Sequence, residues 1–143
     1  MKRDSLNTVR AIILACCGAL LMTACSSSIV RDAGLDKFAP RKAEQELSIG
    51  IRAYEDGNYK NALKHLQGAL DEGLILNSDK AVAHKYLAFV HCAHGRETQC
   101  KQEFRELLEL NPKFELEPAE AGHPAWGPAF KSVKAEMAKK QQK

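Results

Sequence analysis

The sequence predicts an all-α protein, and three observations predict it. Apolar residues recur at helical spacing in the part of the chain that follows residue 41. Gly57 and Gly95 each interrupt such a stretch, as a turn between two helices would. The pattern around Gly57 returns in the same order around Gly95. We therefore expect two helix-turn-helix units arranged as an α-solenoid, followed by a C-terminal capping helix.

Residues 1–24 have the layout of a secretory signal peptide. Lys2, Arg3 and Arg10 precede an uncharged apolar run of about 15 residues, and small residues close the run at Cys25. A membrane-spanning helix needs roughly 20 residues, so this run is too short to span a bilayer. The alternatives are a plain signal peptide with an incidental cysteine and a buried amphipathic helix.

The run ends on Met22-Thr23-Ala24-Cys25, which resembles the lipobox of bacterial lipoprotein precursors, with Met22 in place of the more usual leucine. The resemblance implies that Cys25 is lipidated and starts the mature chain. Acyl chains such as palmitate would then hold the protein on a bilayer. Ser26 follows where an aspartate would be the inner-membrane retention signal, which implies the periplasmic face of the outer membrane.

The mature chain would have about 119 residues, enough for one domain with a modest core. Loss of Lys2, Arg3, Arg10 and Asp4 with the signal peptide lowers the formal charge from +3 to about +1. A charge so close to neutral gives no reason to expect a nucleic-acid partner.

Residues 25–42 are expected to form a flexible tether behind the lipidated cysteine. The stretch SSSIVRDAGLDKFAPRK is polar, contains Gly34 and Pro40, and has no sustained periodicity. The tether would hold the folded part of the chain away from the membrane.

Residues 43–112 contain the two helix-turn-helix units. When the first unit is laid over the second so that Gly57 meets Gly95 in the turn, Gly50 meets Ala88, where two helices approach closely. Further pairs are Ala62 with Cys100, Leu66 with Phe104, and Leu70 with Leu108. Asn111-Pro112 is expected to end the second helix of the second unit, because proline cannot continue a helix.

The stretch GIRAYEDGNYKNALKHLQGAL is similar to the tetratricopeptide repeat (TPR), a helical hairpin of about 34 residues. The stretch AFVHCAHGRETQCKQEFRELLELNP matches in frame and ends on the characteristic proline, Pro112. The two units of this chain are spaced more widely than the TPR length, and the additional residues are expected to lie in the loop DEGLILNSDK. Glu46 and His84 stand where the motif favours tryptophan, and Leu107 replaces a small residue. The alternative is a generic helical bundle.

Residues 113–143 are interpreted as a Pro/Gly turn and a capping helix. Two repeats need a cover, because each buries its apolar face only against a neighbour. The covering stripe at helical spacing consists of Trp126, Phe130, Val133 and Met137. Trp126 either packs the cap or helps to form a binding surface. The helix ends on the basic residues Lys139, Lys140 and Lys143.

Cys92 and Cys100 are the two cysteines that remain for pairing after Cys25 is lipidated. They lie four residues on either side of Arg96, in a turn between antiparallel helices, and an oxidising periplasm favours a disulfide between them. Two buried thiols are the alternative.

The sequence supports a metal site formed by these cysteines and the neighbouring histidines less well than it supports a disulfide. His84 and His91 are about 10 Å apart along a helix, and although His91 and His94 could share an ion, the set lacks the spacing of a closed zinc site.

The sequence has no nucleophile elbow, glycine-rich phosphate loop or H-E-x-x-H motif, so we expect no enzyme activity, cofactor, metal or small-molecule substrate.

The TPR resemblance implies a concave face that binds an extended peptide or a helix of a protein partner. Together with Trp126, that partner-binding groove would be lined by Leu47, Ile51, Tyr54, Val82, Lys85 and Phe89. The alternative is that Leu47, Ile51 and Phe89 are core residues.

These resemblances imply an outer-membrane lipoprotein that docks an envelope protein, such as an accessory or pilotin-like factor of a secretion or pilus system. The alternative is a structural envelope lipoprotein that contacts peptidoglycan through its basic C-terminal helix.

Overall fold

A computed structural model describes residues 41–141, and this part of the chain is all-helical, as expected. The predicted signal peptide, Cys25, nearly all of the tether and Lys143 lie outside the described residues. No helix within residues 41–141 combines the length and apolarity needed to cross a membrane. The helices are α1 (Lys42–Glu55), α2 (Tyr59–Asp71), α3 (Asn77–Ala93), α4 (Glu97–Leu110), α5 (Pro118–Ala121) and α6 (Gly127–Gln141).

The first hairpin consists of α1 and α2, joined by a turn at Gly57. This glycine has a φ of 73°, a left-handed backbone conformation that residues other than glycine rarely adopt. Asn58 then caps α2, because its side chain accepts a hydrogen bond from the Asn61 amide at 3.3 Å. A Cβ atom on Gly50 would lie 2.7 Å from the Leu66 side chain, so the close approach of the two helices requires glycine there.

The second hairpin, α3 and α4, repeats the backbone of the first turn. Gly95 has a φ of 69°, and Arg96 has φ and ψ of −86° and 67°, against −85° and 68° for Asn58. The Asn58 amide donates to the Ala53 carbonyl at 2.7 Å, and the Arg96 amide donates to the His91 carbonyl at 2.9 Å. The internal repeat read from the sequence is therefore present as two hairpins with the same turn.

The two hairpins pack side by side, because α3 contacts both α1 and α2. A buried cluster fills this junction and consists of Ala43, Leu47, Ala62, Leu66, Ala69, Leu74, Ala83, Leu87 and Val90. Small side chains predominate where the helices approach, and leucines fill the space between them.

The loop between the hairpins is shorter than the sequence predicts. The stretch DEGLILNSDK covers residues 71–80, but α2 extends to Asp71 and α3 already begins at Asn77. Only residues 72–76 connect the helices, and Leu74 is their buried anchor.

The C-terminal part closes the second hairpin. As expected, α4 ends at Leu110, directly before Asn111-Pro112, and Pro128 lies in the first turn of α6. Phe130 and Val133 of α6 are buried against α4, where the Phe104 and Phe130 ring centroids are 5.2 Å apart. No Cα atom of α6 comes within 8 Å of one in α3. Thus α6 covers one helix of the preceding hairpin, whereas α3 packs on two.

Candidate functional site

Five ring-bearing side chains meet on the α3 side of the molecule, and we call them the aromatic cluster: Tyr54, Tyr86, Phe89, His123 and Trp126. The Phe89 and Trp126 rings are stacked with centroids 4.4 Å apart, and His123 stacks on the Trp126 ring at 3.4 Å. Tyr54 meets Tyr86 edge to face at 5.0 Å. The cluster joins the first hairpin, the second hairpin and the segment before α6.

Residues 117–126, which we call the covering segment, lie over the face of α3. Glu120 accepts a 2.6 Å hydrogen bond from Lys85, whose ammonium group also lies 4.8 Å from the centroid of the Tyr86 ring. The Lys85 and Glu120 side chains are 14% and 23% exposed, so water screens this ion pair less than it would a surface pair. The short helix α5 places Glu120, and the sequence did not predict this helix.

Tyr54 is a half-buried phenol of the aromatic cluster. Burial raises its pKa to about 12, with smaller contributions from Tyr59, Tyr86 and Glu120. Its phenol is therefore neutral over the physiological pH range and presents an O–H group beside the aromatic faces.

The expected partner-binding groove is only partly open. Phe89 is 2% exposed beneath Trp126 and Leu47 is 8% exposed, so the structure shows the alternative interpretation, that these are core residues, for both of them but not for the half-buried Ile51. Lys85 is engaged by Glu120, and Val82 is half-buried against the cluster between the hairpins. Trp126 packs the cap, although its Nε1 atom is buried with no hydrogen-bond partner among residues 41–141.

The first hairpin keeps an open groove, which we call the α1 groove. Leu47 and Ile51 form its apolar floor, with Leu47 buried and Ile51 half-buried. Its volume is about 300 Å³, and its lining is completed by Glu44, Ser48, Arg52 and Glu55. One Glu44 oxygen pairs with Arg41, whereas Oε2 is buried and has no partner in the described part of the chain. The lining thus combines an apolar floor with charged side chains of both signs, Glu44 and Glu55 against Arg52.

A second cavity, of about 420 Å³, lies between the α3–α4 turn and the start of α6. Cys92, Lys101 and Ser132 are among its lining residues. In the structure Cys92 is bonded to Cys100, and their Cα atoms are 5.2 Å apart. The side chains that form the disulfide thus lie at equal height on two antiparallel helices, as the sequence predicts.

Each hairpin carries one histidine–glutamate pair, and the two pairs occupy equivalent positions with the residues exchanged. His65 Nδ1 lies 2.7 Å from a Glu46 oxygen in the first hairpin, and His84 Nδ1 lies 2.7 Å from a Glu103 oxygen in the second. The positions where the repeat motif favours tryptophan, Glu46 and His84, therefore each bridge two helices. The exchange is visible in the sequence, because the alignment of the two units superposes Glu46 on His84 and His65 on Glu103. The sequence does not show, however, that the histidine and the glutamate of each pair are in contact.

The histidines and cysteines near the α3–α4 turn form no cluster of three or more metal-ligating side chains among residues 41–141. His94 Nδ1 lies 2.8 Å from the Val90 carbonyl oxygen. Burial lowers the pKa of His91, and the nearby Arg96 guanidinium lowers it further.

Comparisons of the chain with protein-family models, curated proteins and solved structures found no match.

Proposed function

We propose that this protein is a lipid-anchored envelope protein whose TPR-like hairpins bind a protein partner along the α1 groove. The single observation that carries the proposal is the open α1 groove, with Leu47 and Ile51 on its floor and the charged residues Glu44, Arg52 and Glu55 in its lining. Its apolar floor and charged rim suit a peptide or a helix that brings both aliphatic side chains and a donor group.

The repeated turn supports the TPR-like part of the proposal. Gly57 and Gly95 adopt the same left-handed conformation, and the small positions Ala62 and Cys100 are both fully buried. In TPR proteins the first helix of each repeat lines the concave face, and α1 holds that position in the first hairpin.

The covering segment limits where a partner binds. Since Glu120 and Trp126 already occupy the face of α3, the partner would contact Ile51 and the more exposed groove residues Ser48 and Arg52. Lys85, Phe89 and Val82 would then support the groove without touching the partner.

Lipid attachment at Cys25 and a position on the periplasmic face of the outer membrane are the second part of the proposal, supported by Met22-Thr23-Ala24-Cys25 and by Ser26. An accessory or pilotin-like role in a secretion or pilus system would combine the anchor with the groove. Intact mass tests the anchor: we expect the mass of residues 25–143 plus acyl chains.

Photo-cross-linking in intact cells tests the groove. A photoreactive amino acid at Ser48, inside the groove, should capture one discrete protein, and the matched probe at the exposed Gln67 of α2 should not. Adding Ile51→Asp to the Ser48 probe should abolish capture, because it places a carboxylate on the apolar floor. Equal capture from Ser48 and Gln67, or capture that Ile51→Asp leaves unchanged, would show that the groove is not the binding site.

The second candidate function is contact with peptidoglycan, which the exposed Lys139 and Lys140 in the last turn of α6 favour. Binding of purified sacculi should then be lost when residues 139–143 are deleted and should weaken with salt. Unchanged sacculus binding after this deletion would remove the candidate.

A further inference from the structure

The loop between the two hairpins exposes two adjacent aliphatic side chains. Ile75 and Leu76, which we call the loop tip, are 66% and 57% exposed. Other exposed large hydrophobic residues in the described part of the chain are less open, with Ile49 at 46%. The neighbouring Leu74 already anchors the loop in the core, so the fold does not need the loop tip for burial.

The start of α3 gives a second reason to regard the loop tip as functional. Leu76 occupies the N-cap position and makes no side-chain hydrogen bond there. Serine, threonine, aspartate and asparagine are the residues that stabilise this position, and Asn58 does so at the start of α2. Arg41 and Arg96 also occupy N-cap positions without such a bond, but Leu76 is the one of these three residues that exposes an aliphatic side chain there.

The loop tip lies at the end of the domain where the chain arrives from Cys25. Lys42, the first residue of α1, pairs with Glu72 of the same loop, and Ala43 and Leu74 belong to one buried cluster. Residues 26–40 can span at most about 54 Å. The chain that follows Cys25 therefore enters the described structure beside the loop tip, so this end of the domain is the one nearest to the proposed lipid along the chain.

We propose that Ile75 and Leu76 insert into the surface of the phospholipid bilayer that holds the Cys25 lipid. This inference rests on the proposed lipid anchor. Two aliphatic side chains on a projecting loop fit the acyl boundary of a membrane, which needs no matching pocket. The tether supplies the high local concentration that makes so small a contact effective. Insertion would fix the orientation of the domain relative to the membrane surface.

Bromolipid quenching of tryptophan fluorescence tests the insertion. The lipidated protein carrying Ile75→Trp is reconstituted into phosphatidylcholine vesicles with or without brominated acyl chains. The matched control is Ile49→Trp, which replaces an exposed aliphatic residue on α1 about 10 Å along the helix from Lys42. Both variants contain the native Trp126 as a common background. We expect brominated lipid to quench Ile75→Trp at least about twofold more than Ile49→Trp.

Equal quenching of the two variants would overturn the inference. Intact mass of the same preparation separates this result from failure of the proposed function. A lipidated chain with equal quenching removes only the membrane contact, whereas an unlipidated native chain removes the anchor and the inference together. A protein partner at the loop tip would also overturn the inference. It would be seen as equal quenching of the two variants together with capture of a protein by a photoreactive amino acid at residue 75.

Leu76→Ser provides a test with effects of opposite sign. Serine restores an N-cap acceptor, so the thermal midpoint should rise by a few degrees. The same change should lower quenching of the Ile75→Trp variant by about half, because an aliphatic contact is removed. A lower thermal midpoint would show that the fold needs Leu76, and unchanged quenching would show that the bilayer does not bind it.

Discussion

Tyr54 is the residue at which the open and the covered faces of the molecule meet. It follows Ile51 of the α1 groove by one turn, and its ring lies 5.0 Å from Tyr86 and 6.2 Å from Phe89. Tyr54 therefore connects α1, the helix that carries the groove, with the aromatic residues of α3. Tyr59, by contrast, is exposed and lies at the outside of this contact.

The first prediction concerns alkaline pH and Tyr54. Its pKa of about 12 lies above the ordinary value of 10.0, so the unfolded chain loses its proton first. The stability that Tyr54 contributes is complete below about pH 10 and is lost as the pH rises towards 12. Because the ring is only partly buried, solvent screening reduces the effect to about 1 kcal/mol or less. Urea unfolding at pH 9 and pH 11 should show this loss.

Tyr54→Phe is the matched variant for that measurement, since it keeps the ring and removes the proton. The variant should lose less stability between pH 9 and pH 11 than the native protein, and the highest phenolate transition in its absorbance titration should disappear. An identical pH profile for both proteins would contradict a raised Tyr54 pKa.

At the scale of the elements, each hairpin joins its two helices by the same devices. A left-handed glycine makes the turn, a small buried residue lies in the first turn of the second helix, and a histidine–glutamate pair bridges the helices. The exchange of residues between Glu46–His65 and His84–Glu103 implies that the geometry, and not the direction of the pair, is what the hairpin requires.

The second prediction tests this equivalence. Glu46→His alone and His65→Glu alone should each lower the free energy of unfolding by about 1 kcal/mol, because each places two like residues face to face. The double exchange rebuilds the arrangement seen in the second hairpin, so it should return to within about 0.5 kcal/mol of the native value. Urea unfolding at pH 7 measures all three. A double variant that shows the sum of both losses would refute the equivalence.

The third prediction concerns the disulfide, by which the second hairpin differs from the first. Cys100 takes the position of Ala62, so Cys100→Ala with Cys92→Ala should fold and should lose about 2–3 kcal/mol of unfolding free energy. Reduction of the native protein should give the same loss and should add two daltons to its mass. A native mass that reduction does not change would show two free thiols instead.

The whole molecule shows which features a sequence pattern can reveal. Helical spacing and left-handed glycines are local, and the hairpins they predict are present around Gly57 and Gly95. The cysteine pair followed from its symmetry about a turn. The covering segment could not be predicted in the same way, because the contacts of Glu120 and Trp126 with α3 join residues that are far apart in the chain. No periodicity records such contacts, and the groove therefore appeared more open in the sequence than in the structure.

The two ends of the described structure differ in how they are closed. The first hairpin presents the α1 groove to solvent, whereas α6 and the covering segment cover the second. Phe104, Leu107 and Leu108 of α4 are buried, and Phe130 and Val133 of α6 belong to the same buried cluster. Two repeats are fewer than such arrays usually need, so the capping helix should supply the missing neighbour.

The fourth prediction follows from this role of α6. Deletion of residues 127–143 removes the burial of Phe130 and Val133, which should cost about 4 kcal/mol of a total stability of about 5–15 kcal/mol. The uncovered second hairpin should then be destabilised, so the urea midpoint should fall and the chain should lose helix beyond the 15 residues of α6 at urea concentrations that the native protein withstands. The control deletion of residues 139–143 removes the exposed Lys139 and Lys140, so it should lose only the helical residues that are deleted and should leave the urea midpoint unchanged. If the larger deletion lost only the helix of α6 and kept the native midpoint, then α4 would not need its cover, and the two hairpins would be stable without a third neighbour.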